Sequence, residues 1–202
     1  TNRDREYATL DIYSLASGTI ERVFETAHDV EGLELCGPGE GGSYLYWTEN
    51  IDGFDALRGW HTVEKRPIDM PTLPEGNYAL DCEADGQLMV RVNGWATPGE
   101  LWMTNPVAGT ADRVFSSNLA GLDPQRLLRP KVVRYPARDG IELQGLLYMP
   151  EGAGTGANAP PVVFSVHGGP TSQSQATFDA IAQYHAARGV AVCRRAPLGY
   201  ER

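Results

Sequence analysis

At 202 residues, with 42% hydrophobic and 21% charged residues, the chain can fill a sizeable core in one or two domains and presents an ordinary soluble surface. A formal net charge of −9 excludes nucleic-acid binding through a basic face. No run reaches the ~18 apolar residues that span a bilayer, so no membrane partner is expected.

The opening, Thr1 to Glu6, is charged and polar and reads as no signal peptide; the expectation is that the natural start lies upstream. Cys36, Cys82 and Cys193 are odd in number and far apart. They suggest neither a metal-ligand pair nor a disulfide framework, so the expectation is buried or idle thiols. No cofactor or metal is called for, and the compartment stays open between cytoplasmic and periplasmic or secreted.

From Arg5 to about Leu128 the pattern is all β, short alternating segments broken by Gly, Asn and Asp. It repeats. Leu10 to Phe24 aligns with Leu101 to Phe115 at a constant offset of 91, with Leu, Gly, Thr, Arg, Val and Phe at matching places. Gly42 and Tyr44-Leu45-Tyr46-Trp47 match Gly86 and Leu88-Met89-Val90-Arg91 at an offset of 44. Leu10, Leu57 and Leu101 are therefore spaced by 47 and 44. A period in the forties with about four strands per unit is that of a β-propeller blade; a sandwich does not repeat as units. Roughly two and a half units do not close a ring, so the chain reads as the inside of a longer one. Trp47, Trp60, Trp95 and Trp102 fall among these strands; packing between blades is their commoner use, ahead of lining a channel.

Leu122 to Pro130, with two prolines, is a connector. Asp139-Gly140 between two strand-like runs signals a hairpin. Glu151 to Ala159 is Gly/Ala-rich surface loop. Val162–Val166 is short, apolar on both alternations and β-branched, which suits a strand buried on both faces of a parallel sheet. Phe178, Ile181, Ala182 and His185 share one helix face, Gly189 stops the helix, and Val190 to Cys193 is a second buried strand. Strand, helix, strand with a right-handed crossover opens an α/β sheet.

The first of these strands ends in His167-Gly168-Gly169-Pro170. Glycines there leave backbone N–H groups unshielded, and His-Gly-Gly after a sheet strand is how α/β-hydrolases make half of an oxyanion hole. The plain alternative is an ordinary strand-to-loop turn.

Together these blocks resemble the prolyl oligopeptidase family of serine peptidases, above all its acylaminoacyl peptidase and dipeptidyl peptidase-like branches. The resemblance rests on Arg129-Pro130, Val133-Arg134-Tyr135, Ala137-Arg138-Asp139-Gly140, Leu146-Leu147-Tyr148, Pro160-Pro161-Val162-Val163, Val166 to Pro170 and Gln183-Tyr184 to Gly189, in that order. Trp47-Thr48-Glu49-Asn50 and Leu119 to Pro124 resemble the family's last blades. It implies propeller blades over 1–128, all-β and antiparallel, followed by the N-terminal part of an α/β-hydrolase (peptidase catalytic) domain over 129–202, incomplete at both ends. It implies acyl transfer on short peptide substrates, with Gly169 and Gly168 as backbone oxyanion donors and His167 shaping their loop. After Cys193 the family pattern fades: only Gly199-Tyr200 fits, and His185 stands where the family has an apolar residue.

The sequence holds no Gly-x-Ser-x-Gly, and the family's order of nucleophile, acid and histidine places all three after these strands. Gly41-Gly42-Ser43-Tyr44 imitates the start of a nucleophile elbow, but Leu45 replaces the next glycine and a strand follows where a helix should. The 202 residues alone are therefore expected to be inert. Competing readings are a non-catalytic propeller module with a vestigial hydrolase segment, and an esterase of the same fold.

Overall fold

The structure is a computed structural model that describes residues 6–37, 43–168 and 173–195. Strands β1 (Leu10–Tyr13) and β2 (Ile20–Phe24) form a two-stranded antiparallel sheet. Strands β3 (Asp29–Cys36), β4 (Tyr44–Ile51), β5 (Phe54–His61) and β6 (Arg66–Ile68) form a four-stranded antiparallel meander. A second meander follows from β7 (Asn77–Cys82), β8 (Leu88–Gly94), β9 (Thr97–Asn105) and β10 (Thr110–Ser116). Among the described residues these sheets do not close on themselves, and they have the form of propeller blades.

The repeat is a repeat of register. Leu10 lies opposite Phe24, and Leu101 opposite Phe115. Both ladders slip beside the same repeat position, Val23 in one and Val114 in the other. Tyr44 and Leu88, paired by the offset of 44, both open the second strand of their sheet.

Sheets stack through their apolar faces. Tyr46, Leu57, Leu88, Val90 and Val92 bury between the two meanders, and Leu10, Leu45 and Trp47 bury between the first hairpin and the first meander. The Phe24 and Trp47 rings lie 5.0 Å apart across that second contact, and Trp60 and Trp102 pack at the margins of the two clusters. Aromatic area at sheet-to-sheet contacts is what a stack of small sheets needs to be stable. Burial also raises the Tyr46 phenol to about 12, and its hydroxyl donates to the Gly86 carbonyl at 3.0 Å.

The reading of the cysteines as idle thiols is corrected. Cys36 and Cys82 form a disulfide with their Cα atoms 6.0 Å apart, while Cys193 is free and buried. The partners end the first strands of neighbouring sheets, and the stacking of the sheets brings them together.

The fourth sheet is mixed. Strands β11 (Lys131–Pro136) and β12 (Glu142–Tyr148) form a hairpin in which Gly140 sits at φ +88° and the Ala137 N–H donates to the Ile141 carbonyl at 2.7 Å. Strand β13 (Val162–Val166), helix α1 (Ala180–Ala187) and strand β14 (Ala191–Arg195) complete it in the order β11-β12-β14-β13. β13 and β14 run parallel, joined through α1.

Helix α1 is fixed at both ends. The Asp179 carboxylate accepts the Ile181 and Ala182 N–H groups at 3.0 Å each. At the other end Gly189, at φ +82°, donates to the Ala186 carbonyl while Val190 donates to that of His185, the paired bonds of a Schellman ending.

Two expectations fail here. Val162–Val166 is a strand with the expected bounds, but it is the sheet's edge and all five residues are exposed. The apolar run recorded what the strand's faces are suited to meet; the one α-helix among the described residues packs over β12 and β14 instead. The helix face is also different. Ala182, Gln183 and Ala186 are buried, while Ile181 is 71% exposed. Small residues let α1 lie close to the sheet, and Ile181 points the other way.

Candidate active site

The motif sits where β13 leaves the sheet, at the carboxyl end of a parallel strand. That is where open α/β sheets bind ligands. His167 is partly exposed, with Nδ1 3.1 Å from the Gly168 carbonyl oxygen, a contact within its own turn. Gly168 is exposed, and a Cβ built on it meets nothing within 4 Å. Neither crowding nor a left-handed φ demands glycine at 168 within the described residues. Gly169, the better oxyanion candidate, lies outside the described residues, as do Pro170, Thr171 and Ser172. So do Gly41 and Gly42 of the false elbow and the Gly199-Tyr200 match near the end.

Ser43, the rejected nucleophile, precedes a strand as expected: its N–H donates to the Cys36 carbonyl at 2.8 Å and β4 follows directly. Ser165 is a residue of β13, and Ser174 is buried.

From Gln173 to Phe178 the chain is held by the blades. The β4–β5 hairpin turns on Asp52 and Gly53, at φ +55° and +89°, and a Cβ on Gly53 stands 3.2 Å from the Ser174 carbonyl oxygen. Only glycine meets both conditions. The Ala176 N–H donates to the Gly53 carbonyl at 2.9 Å, the Asn50 amide to Gln173 Oε1 at 2.8 Å, and the Phe178 N–H to Asn93 Oδ1 at 3.2 Å. Gln183 of α1 reaches across to the connector. Its Oε1 accepts the Leu128 N–H at 2.8 Å, and its Nε2 donates to the Leu128 and Trp95 carbonyls at 2.9 and 3.3 Å.

Asn50, Gly53 and Gln183 hold this junction, a role that the sequence motifs do not indicate. Gln183 carried a legible signal, a long amide among alanines on a short helix. A cleft of about 330 Å³ opens at this junction, lined among others by His28, Asp52, Arg134 and Gln173. Arg134 closes one side, paired with Asp52 at 2.5 Å and with Glu142 at 3.5 Å.

Meanders of antiparallel strands stacked as blades, joined to a mixed sheet whose parallel edge strand ends in His-Gly-Gly, define a class of architecture, and solved structures share it. A puromycin-hydrolyzing peptidase of Mycobacterium tuberculosis superposes with a TM-score of 0.74 at 20% identity, over 93% of this chain and 30% of its own. An acylaminoacyl peptidase of Pyrococcus horikoshii gives 0.61 at 22% identity, over 88% and 27%. Dipeptidyl peptidase 4 of Porphyromonas gingivalis gives 0.70 at 14% identity, over 96% and 28%. These are peptidases of the prolyl oligopeptidase family, so the resemblance read from the motifs recurs as a likeness of fold. The chain spans about 30% of the length of the structures it matches. No family model and no curated relative matches it.

Proposed function

We propose that these residues form part of a serine-type peptidase that hydrolyses short peptides through an acyl-enzyme. In this reading residues 1–128 are the last blades of a propeller, and residues 129–202 are the first part of an α/β-hydrolase domain. The observation that carries it is β13–α1–β14: a parallel pair with His167-Gly168-Gly169 at the carboxyl end of its first strand, docked on blades as in peptidases three times as long. In this reading the Gly169 and Gly168 N–H groups are the oxyanion donors, and His167 shapes their loop. One such donor contributes about 3 kcal/mol to the barrier. The nucleophile, acid and histidine are supplied by sequence beyond residue 202, where the fold's chain order puts them. No cofactor enters this chemistry.

A fluorophosphonate probe followed by intact mass tests the reading. The 202-residue chain is expected to remain unlabelled, because its sequence holds no Gly-x-Ser-x-Gly elbow. The same chain extended through its downstream sequence is expected to take up one label, on a serine after residue 202. Labelling within residues 1–202 overturns the placement of the nucleophile; an unlabelled extended protein overturns the peptidase reading.

A further inference from the structure

Cys36 is the last residue of β3 and Cys82 the last of β7, the first strands of successive meanders. They are 46 residues apart, one repeat of the 44–47 spacing. Tyr44 stands opposite Cys36 and Leu88 opposite Cys82 in the same pairing. The two cysteines thus occupy one position on two neighbouring units. Stacked units bring the same position close, here to a Cα separation of 6.0 Å, within the range a bridge requires.

The surroundings favour permanence. Cys36 is 6% exposed and belongs to the apolar cluster of Tyr46, Leu57, Leu88, Val90 and Val92 that joins the two sheets. Thiolate reagents have little access there. The third cysteine does not compete: Cys193 is buried in the mixed sheet, and burial pushes its thiol up, away from the reactive thiolate.

We propose that Cys36–Cys82 is a constitutive cross-link that fastens one blade to the next, and that the protein works in an oxidising compartment. The bond forms by exchange with a disulfide-bearing oxidant. One cysteine thiolate attacks the oxidant's disulfide, giving a mixed disulfide and releasing one oxidant thiolate. The second cysteine thiolate then displaces the remaining oxidant sulfur. The pair loses two protons and two electrons, and the oxidant leaves as a dithiol. Cys82 is half-buried against the same cluster, and disulfides persist outside the reducing cytosol.

The test is differential alkylation of the protein in acid-quenched cells of its source, with peptide mapping. The expected result is a linked Cys36–Cys82 peptide pair and one alkylatable thiol, Cys193, reached only in denaturant. Three alkylatable thiols overturn the proposal, as does a bridge that includes Cys193. Purified protein supplies the second arm. Reduction of the wild type, and the variant Cys36→Ala/Cys82→Ala, are each expected to lower the thermal midpoint by about 10 °C, the scale for a bridge of this loop length in a chain this size. A midpoint unchanged by reduction removes the fastening role even where the bond is found. If the double variant does not fold, the reduced wild type still gives the reading.

Discussion

Single polar side chains do much of the joining in this molecule. Asp55, in β5, reaches to the neighbouring meander, where its carboxylate accepts the Tyr78 N–H at 2.8 Å and the Asn77 amide at 3.1 Å. Burial pushes this carboxyl up to about 6; the Tyr78 bond opposes the shift, and the Glu31 charge adds to it. The folded state therefore binds the proton more tightly than the unfolded state, whose value is near 4. Stability contributed by the protonated form is complete below pH 4 and is lost as pH rises through 6. The difference reaches at most about 3 kcal/mol. In urea titrations Asp55→Asn is expected to flatten the stability profile between pH 4 and 6.5 relative to wild type. Parallel profiles for the two proteins contradict this account. Gln183 is the complementary case, 7% exposed and carrying no charge. Gln183→Leu leaves the part-buried Leu128 N–H and carbonyl without their partner, at a cost of about 2 kcal/mol. A loss under 0.5 kcal/mol by denaturant unfolding would show that water takes over both groups.

At the scale of elements, helix α1 separates two readings of one sequence. A stripe of Phe178, Ile181, Ala182 and His185 predicts that Ile181 anchors the helix. The structure turns Ile181 outward and buries Ala182, Gln183 and Ala186. Ile181→Lys is accordingly expected to change stability by less than about 0.5 kcal/mol, and Ala186→Leu to destabilise by about 2 kcal/mol through overpacking. The opposite order of effects, measured by thermal unfolding, restores the stripe read from sequence. β13 makes the same point for strands. Its apolar run gives the strand's type and limits, whereas burial needs a neighbour on each face, and within these residues only β14 lies beside it.

At the scale of the whole molecule, the blades and the mixed sheet are joined by buried amide and backbone bonds and by exposed ion pairs. Arg129 pairs with Glu75 at 2.6 Å, and Arg134 with Asp52, with side chains about half exposed on the arginine side. Exposed pairs contribute about 0–1 kcal/mol and are screened by salt. Arg134→Ala is therefore expected to cost less than about 1 kcal/mol, less than Gln183→Leu, and 0.5 M sodium chloride to narrow that cost further. A larger, salt-sensitive loss for Arg134→Ala would assign the junction to electrostatics.

The sequence alone determined what is periodic or local. The Leu10/Leu57/Leu101 spacing announced antiparallel units of about four strands, Asp139-Gly140 the hairpin, and Gly189 the helix end, because turn geometry and side-chain alternation act over a few residues. That His167 and Gly168 follow a strand was legible for the same reason. What the sequence left open were contacts between elements. The Cys36–Cys82 bond, the Asp55 clasp, the face of α1, the edge position of β13 and the hold of Asn50 and Gly53 on Gln173–Phe178 join residues 22 to 123 positions apart or lying on separate sheets. Apart from Cys36 and Cys82, which lie one repeat apart, chain spacing carries no record of such pairs. They are fixed only when stacked sheets bring their faces together, and burial then decides which polar groups must find each other.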